Sequence, residues 1–326
     1  MSTAESKSAV PAGVNGAGGP SLPSPLRVLA AGQGGVFTSG QARGFGLTRQ
    51  DLARLANGGA IHRLRPGEFA VRETWQVAEP WTRLLLRTKA ALLHRPDAVA
   101  SHHAALAIHG LPLYGVDLEK VDLSASVKRP FRRSGVVTHV REAGVVPIDV
   151  DGLLAVPVAR AVVQTALASG LVAGLVAADG ALHRGLTTIA EISAAAPPAE
   201  RVRGCQRIRE LVRLADGLAE SPGETRLRLI LQILGVRVRS QMEVRRRGGR
   251  VVARVDFLVG DRVVVEFDGL VKYEGADGRR ALAAEKERED LLRALGFVVI
   301  RVVWAELDRP DLILARVRAA LRSIAA

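Results

Sequence analysis

Between Val251 and Asp268 the chain reads VVARVDFLVGDRVVVEFD, two apolar runs joined by a short Gly-Asp turn and interrupted by Asp256, Glu266 and Asp268. An ionised carboxylate inside a strand costs free energy unless a partner compensates it. A divalent cation is the commonest compensation that also does chemistry, by acidifying a bound water and polarising a phosphate. The segment points towards metal-dependent phosphodiester cleavage, with Asp256 and Glu266 holding Mg²⁺ or Mn²⁺ and Asp268 as a further metal-binding acid.

Whether these acids can meet depends on the turn. Side chains alternate faces along a strand, so Glu266 and Asp268 share a face. A two-residue turn at Gly260-Asp261 would pair Asp256 with Val265 and leave Glu266 on the opposite face. A three-residue turn over Gly260–Arg262, or one bulge, would set Asp256 across from Glu266. Only the second arrangement serves a shared metal. Glu224 is a fourth candidate acid in Ser221-Pro222-Gly223-Glu224. That spacing is equally a capping box with proline at the first helical position, so Glu224 reads either as a cap or as a catalytic acid.

The elements that must carry these residues follow from periodicity. Pro222–Leu234 reads as a helix with Leu227, Ile230, Leu231 and Leu234 on one side, followed by the two strands. Arg279–Leu295 is an amphipathic helix closed by Gly296, Phe297–Trp304 a buried strand, and Asp311–Ile324 a last helix. The order α-β-β-(β)-α-β-α implies a mixed sheet flanked by helices. Arg301 sits within the last strand, where a structural ion pair is its expected role.

Val36–Val71 has another rhythm. Thr38 caps a short helix, and Thr48 caps a second over Arg49–Ala56 with Asp51 in the capping-box position. Asn57-Gly58-Gly59 ends it, and Ile61–Val71 forms a hairpin around Pro66-Gly67 with His62, Arg63 and Arg65 on its first strand. Helix, turn, helix and basic hairpin is the order of winged helix-turn-helix DNA readers. Between the two ends, Trp81–His94, Pro157–Leu167, Leu171–His183 and Val202–Leu214 read as helices. Val121–Val127 and Val136–Val140 read as strands flanking a basic hairpin tip, Lys128–Arg133. His102, His103 and His109 have no acidic partner at metal-ligand spacing and read as surface or core histidines.

The chain has 326 residues, enough for two or three domains, and hydrophobic residues make up 48% of it, enough to build cores. Aromatics are only 4%, so those cores must be aliphatic. The net charge of +13 suits nucleic acid as a partner, through release of condensed counterions. A single cysteine, Cys205, excludes an internal disulfide framework and Cys-based zinc sites. No apolar run is long enough to span a bilayer, and Met1–Ser24 lacks the apolar segment of a signal peptide. A soluble cytoplasmic protein is expected.

The string Ser-Pro-Gly-Glu…Arg-Val-Asp-Phe…Val-Val-Glu-Phe-Asp-Gly…Lys-Tyr…Glu-Lys-Glu-Arg-Glu-Asp-Leu-Leu, over Ser221–Arg318, resembles the DUF559 family, relatives of very-short-patch-repair endonucleases in the PD-(D/E)XK superfamily. The resemblance implies a restriction-endonuclease-like fold in which Asp256 and Glu266 are the metal-binding acids and Glu224 the helical acid. Asp268 stands where that superfamily has its lysine. Lys272 is the first candidate to replace that charge and Lys286 the second. Gly34–Val71 resembles the N-terminal domain of AbiEi-family antitoxins. That likeness implies a winged helix on operator DNA, with Thr48, Arg49, Gln50 and Arg54 approaching the major groove and Arg63 and Arg65 meeting phosphates or the minor groove. Residues 101–186 weakly resemble the rest of those antitoxins, departing at Arg160-Ala161-Val162-Val163-Gln164.

The expected organisation is α/β, α+β overall: a disordered tail (1–33), a winged helix (34–75), a mixed middle (76–196), a linker helix (197–220) and an endonuclease-like domain (221–326). The expected function is DNA binding with Mg²⁺-dependent endonuclease activity. The alternative is a non-catalytic repressor or antitoxin of a type IV toxin–antitoxin system. DNA is the expected partner, with a cognate toxin or a second copy of the chain as candidate protein partners.

Overall fold

The structure, a computed structural model, describes residues 21–197, 204–246, 249–269 and 275–325. It is an α+β chain in two units that divide between Pro96 and Asp97.

The first unit runs α1 (Ser24–Gly32), β1 (Val36–Thr38), α2 (Ser39–Gly44), α3 (Arg49–Asn57), β2 (Ile61–Arg65), β3 (Glu68–Val71), α4 (Arg72–Val77) and α5 (Pro80–His94). Its sheet has the antiparallel order β1-β3-β2. Thr38 caps α2 as expected, in a capping box with Gln41, and the expected capping box of Thr48 with Asp51 forms. Leu52 and Leu55 of α3 enter a core with Leu26, Phe37, Ile61 and Phe69.

Two sequence expectations change here. Residues 24–32, read as part of a tail, form α1, because Leu22, Leu26 and Ala30 recur every four residues and bury one face. The border expected at 75/76 falls inside α4, and Leu86 and Ala90 of α5 beyond it pack on Val36 and Ala70, so α5 belongs with the winged helix.

The second unit begins with β4 (Val99–Ala100), α6 (His102–Ile108), β5 (Val121–Ala125), β6 (Phe131–Arg133), β7 (Val136–Val140), β8 (Ile148–Val150) and β9 (Leu153–Ala155). These strands form one sheet in the order β6-β7-β5-β4-β9-β8. Lys128–Arg133 is therefore not the tip of a β5/β7 hairpin. β5 and β7 are parallel, and Phe131–Arg133 is the exposed edge strand, antiparallel to β7. Helices α7 (Val158–Ser169), α8 (Leu171–His183), α9 (Ile189–Ala194) and α10 (Cys205–Leu214) follow. Ile208 and Leu211 of α10, within the expected linker helix, are buried.

The last part runs α11 (Pro222–Gln232), β10 (Val238–Arg245), β11 (Val251–Val259), β12 (Val263–Asp268), α12 (Gly275–Ala294), β13 (Val298–Val303) and α13 (Pro310–Ala325). This is the α-β-β-β-α-β-α order, with strands β10-β11-β12-β13 and only the last pair parallel. It does not separate from the middle as the expected borders at 196/197 and 220/221 would have it. Buried Asp179 of α8 accepts Arg228 Nη2 at 2.6 Å and Thr225 Oγ1 at 2.8 Å from α11, and the backbone N–H of Asp216 at 2.8 Å. A buried carboxylate held this way ties α8 to α11 as one body.

The four-stranded sheet has a core on each face. Phe257, Val259, Val263, Val265 and Ile300 meet Leu227 and Leu231 of α11 and Ile313 and Val317 of α13. Val255, Leu258 and Val264 meet Leu292 of α12 on the other face. Val255 and Phe257 thus lie in opposite cores although two residues apart, which breaks the alternation at Asp256. Pairing runs from Ser240↔Phe257 to Met242↔Val255, so Gln241, at φ 50°, stands opposite Asp256.

Candidate functional site

The chain between β11 and β12 is the three-residue turn. Pairing runs Val259↔Val263, Leu258↔Val264 and Phe257↔Val265, so Asp256 and Glu266 occupy the next positions outwards, where the ladder ends, close enough for the Asp256 charge to raise Glu266. Gly260 takes φ 60°, a left-handed conformation that glycine adopts without strain. Asp256 is half-buried and its Oδ2 accepts the backbone N–H of Phe267 at 2.8 Å. Glu266 is buried, in register with Arg301. Asp268, two residues on, lies half-buried at the end of β12.

Glu224 comes from α11, and both readings of it hold. Its backbone N–H donates to Ser221 Oγ at 3.2 Å, as in a helix cap. Its carboxylate accepts Ser221 Oγ at 2.8 Å, the Glu220 N–H at 3.0 Å and Gln241 Nε2 at 2.9 Å. Gln241, which stands opposite Asp256 in the β10–β11 pairing, thus reaches Glu224 from the neighbouring strand. Burial first, and then the neighbouring Asp256 charge, push the Glu224 carboxyl up to about 7. Burial likewise raises Asp256 and Glu266, the latter further through Asp256. The helix meets the strand closely: a Cβ on Gly223 would lie 2.1 Å from the Phe267 ring. That ring packs edge-on against Trp304, centroids 5.0 Å apart.

The cation on this cluster is Arg288 of α12. Its Nη2 is 2.9 Å from each Glu266 carboxylate oxygen and 2.8 Å from Glu285. Lys286, the second lysine candidate, is exposed on the same helix, two residues before Arg288. Lys272, the first, lies outside the described residues. Arg301 is in ion pairs, but with Glu285 and Glu289 of α12 rather than with the acids of β11 and β12. Sequence reasoning missed Arg288 and Gln241. The spacing Glu285, Arg288, Leu292 puts all three on one helical face, and Leu292 is buried against the sheet, so periodicity alone could have found Arg288. Gln241 had no comparable signal, because its contact depends on a local backbone irregularity.

In the winged helix, Arg49, Gln50 and Arg54 are exposed along α3, and Arg63 is exposed on β2. Arg54 is paired with Asp51. Thr48 is committed to its cap: its hydroxyl meets Asp51 Oδ2 at 2.6 Å and accepts the Asp51 N–H at 3.2 Å. Arg65 does not face outwards as expected. It is buried, pairs with Glu68 at 2.9 Å and donates to the Arg87 carbonyl at 3.2 Å. The pairing slips between Arg63 and Arg65, which puts Arg65 on the inner side.

The middle sheet holds a cluster that the sequence reading did not assemble. Asp122 of β5 is fully buried and its Oδ1 lies 2.6 Å from His139 Nε2 and 3.1 Å from Lys120 Nζ. His102 stacks on His139 with centroids 4.1 Å apart, and burial holds its imidazole neutral, down at about 3. His103 and His109 are spent on the backbone carbonyls of Lys120 and Val156, at 2.9 and 3.1 Å. Among the described residues no helix is long and apolar enough to cross a membrane.

No family model matches the chain. It is similar to an uncharacterized protein, Rv2248, of Mycobacterium tuberculosis strain H37Rv, at 28% identity over 83% of this chain and 96% of that protein. The same figures hold for the uncharacterized protein MT2308 of strain CDC 1551.

Proposed function

We propose that this is a cytoplasmic DNA-binding protein whose C-terminal carboxylates hydrolyse phosphodiester bonds with Mg²⁺ or Mn²⁺. The observation that carries this reading is the approach of Asp256 and Glu266 beyond the Gly260–Arg262 turn, with Glu224 near enough to feel the Asp256 charge. Burial raises all three carboxyls and the Asp256 charge adds to it at Glu224 and Glu266, with Arg288 offsetting part of this at Glu266; an all-oxygen donor set of this kind suits a hard dication.

Asp256 and Glu266 would hold the ion, with Asp268 as a further oxygen donor at the strand end. When bound, the ion supplies a water acidic enough to attack and a Lewis acid for the phosphate. The Phe267 N–H orients Asp256. Glu224, ionising near neutrality, accepts a proton from the attacking water. Arg288 offers guanidinium charge where the superfamily's lysine is replaced by Asp268, and it stabilises negative charge on the phosphate. Arg49, Gln50 and Arg54 of α3 approach the major groove, and Arg63 meets phosphate.

A second reading rests on the same arginine. Arg288 already neutralises Glu266, and a site balanced in this way suits a repressor or antitoxin that keeps the nuclease fold for DNA contact alone. Incubating supercoiled DNA with the protein and Mg²⁺ or Mn²⁺ separates the two. Cleavage lost in Asp256→Ala supports the nuclease. Metal-independent DNA binding without cleavage, unchanged in Asp256→Ala, supports the repressor.

A further inference from the structure

His102, Asp122 and His139 each offer a ligand atom, and these atoms lie within 4.8 Å of one another. They come from three elements: the start of α6, β5 and β7. Because β5 and β7 are parallel neighbours, Ser124↔His139 pairing puts His139 within reach of Asp122. His102 is brought over them by a left-handed backbone, φ 52°, that a non-glycine residue adopts at a cost. Its N–H donates to Gln164 Oε1 at 3.0 Å, which holds that conformation.

The carboxylate is incompletely compensated. Asp122 Oδ1 meets His139 and Lys120, whereas among the described residues no donor hydrogen-bonds Oδ2. His103 Nδ1 lies 3.2 Å from Oδ2. But His103 Nε2 faces the Lys120 carbonyl at 2.9 Å and must carry the proton there. The Nδ1–Oδ2 approach does not meet hydrogen-bond geometry, and Oδ2 is left without a hydrogen bond among the described residues. A buried polar atom left like this calls for an explanation, and an ion is one.

We propose that His102, Asp122 and His139 form a transition-metal site, taking Zn²⁺ or a dication of similar preference. Two imidazole nitrogens with one carboxylate oxygen suit Zn²⁺, Co²⁺ or Ni²⁺ rather than Mg²⁺. Ligation through His139 Nε2 moves the single ring proton of the neutral imidazole to Nδ1, and Lys120 stays 3.1 Å from Asp122 Oδ1. The His139 side chain is 29% exposed, which leaves an approach for the ion. The site ties the start of α6 to the two strands and stands apart from the acids of β11 and β12, so it does not depend on the nuclease reading.

The test uses the untagged full chain carrying Asp256→Ala and Glu266→Ala, so that the other acids do not contribute. Zn²⁺ is titrated in competition with a chromophoric chelator, and Co²⁺ is added to read the visible d–d bands. One equivalent of Zn²⁺, at least tenfold weaker in His139→Ala, with a Co²⁺ spectrum of mixed imidazole and carboxylate ligation, is expected. A stoichiometry or affinity unchanged in both His102→Ala and His139→Ala, or no Zn²⁺ binding, overturns the site and leaves a hydrogen-bonded ion cluster. If His139→Ala does not fold, His139→Gln and the Co²⁺ spectrum of the parent decide the matter.

Discussion

Asp256 and Glu266 stand next to each other just beyond the last paired residues of β11 and β12, Phe257 and Val265, because the turn between the strands has three residues. With two residues the same acids would have stood on opposite faces. Adjacent carboxylates repel, and burial raises both above the usual carboxylate range. Asp256→Asn should therefore raise the melting temperature in chelator at pH 8. It should also abolish the stabilisation that Mg²⁺ gives the parent protein. Thermal denaturation with and without Mg²⁺ reads both, and a parent unmoved by Mg²⁺ would argue against a metal at this pair.

Glu224 makes a prediction in pH. Its folded value of about 7 lies above the ordinary 4.5, so the folded chain binds this proton more tightly than the unfolded chain. The resulting stability is fully present below pH 4.5 and is lost as pH rises through about 7. Glu224→Gln should remove that dependence and gain stability relative to the parent above pH 7. The gain should be about 1–2 kcal/mol, given coupling to Asp256. If the protein cleaves DNA, its rate should rise with pH around 7 and fall sharply in Glu224→Gln at every pH. Denaturant melts at pH 5, 7 and 8.5 and a pH–rate profile check these outcomes.

Arg288 is the partner that keeps Glu266 tolerable. Arg288→Met should leave a buried carboxylate without its cation and cost about 1–3 kcal/mol, less than for a fully buried pair because Arg288 is partly exposed. A divalent ion should restore part of that loss if the carboxylates bind it. Urea titration in chelator and in Mg²⁺ measures the difference, and equal losses in both would show that the ion does not substitute for the guanidinium.

Gly223→Ala tests the seat of α11. The new methyl would meet the Phe267 ring at 2.1 Å, and the helix must move or the ring must turn. A loss of about 1–3 kcal/mol is expected, from overpacking. Phe267→Leu in the same chain should recover part of it. An unchanged stability in Gly223→Ala would mean that α11 shifts freely on the sheet.

The winged helix separates two arginines of like appearance in sequence. Arg49→Ala should weaken DNA binding by about 1–3 kcal/mol if it reaches a base edge, with the melting temperature unchanged. Arg65→Ala should instead destabilise the fold by about 3–5 kcal/mol, because it strands Glu68 inside. Fluorescence anisotropy and thermal melts on both variants distinguish contact from support.

The sequence by itself determined the local elements and the residue types of the site. The caps at Thr38 and Thr48, the helix-strand order of the last hundred residues and the apolar faces around Leu227 and Leu231 all follow from short-range spacing. The acids Asp256 and Glu266 stood out because charge inside an apolar run is costly whatever the fold. Tertiary structure decided what long-range packing controls: which turn joins β11 to β12, that Arg288 and Gln241 reach the acids, that Arg65 turns inwards, and that His102, Asp122 and His139 converge from three elements. Register, bulges and sheet order depend on how distant faces bury one another. A linear pattern cannot specify that, because one residue's slip in a strand reverses every side chain on it.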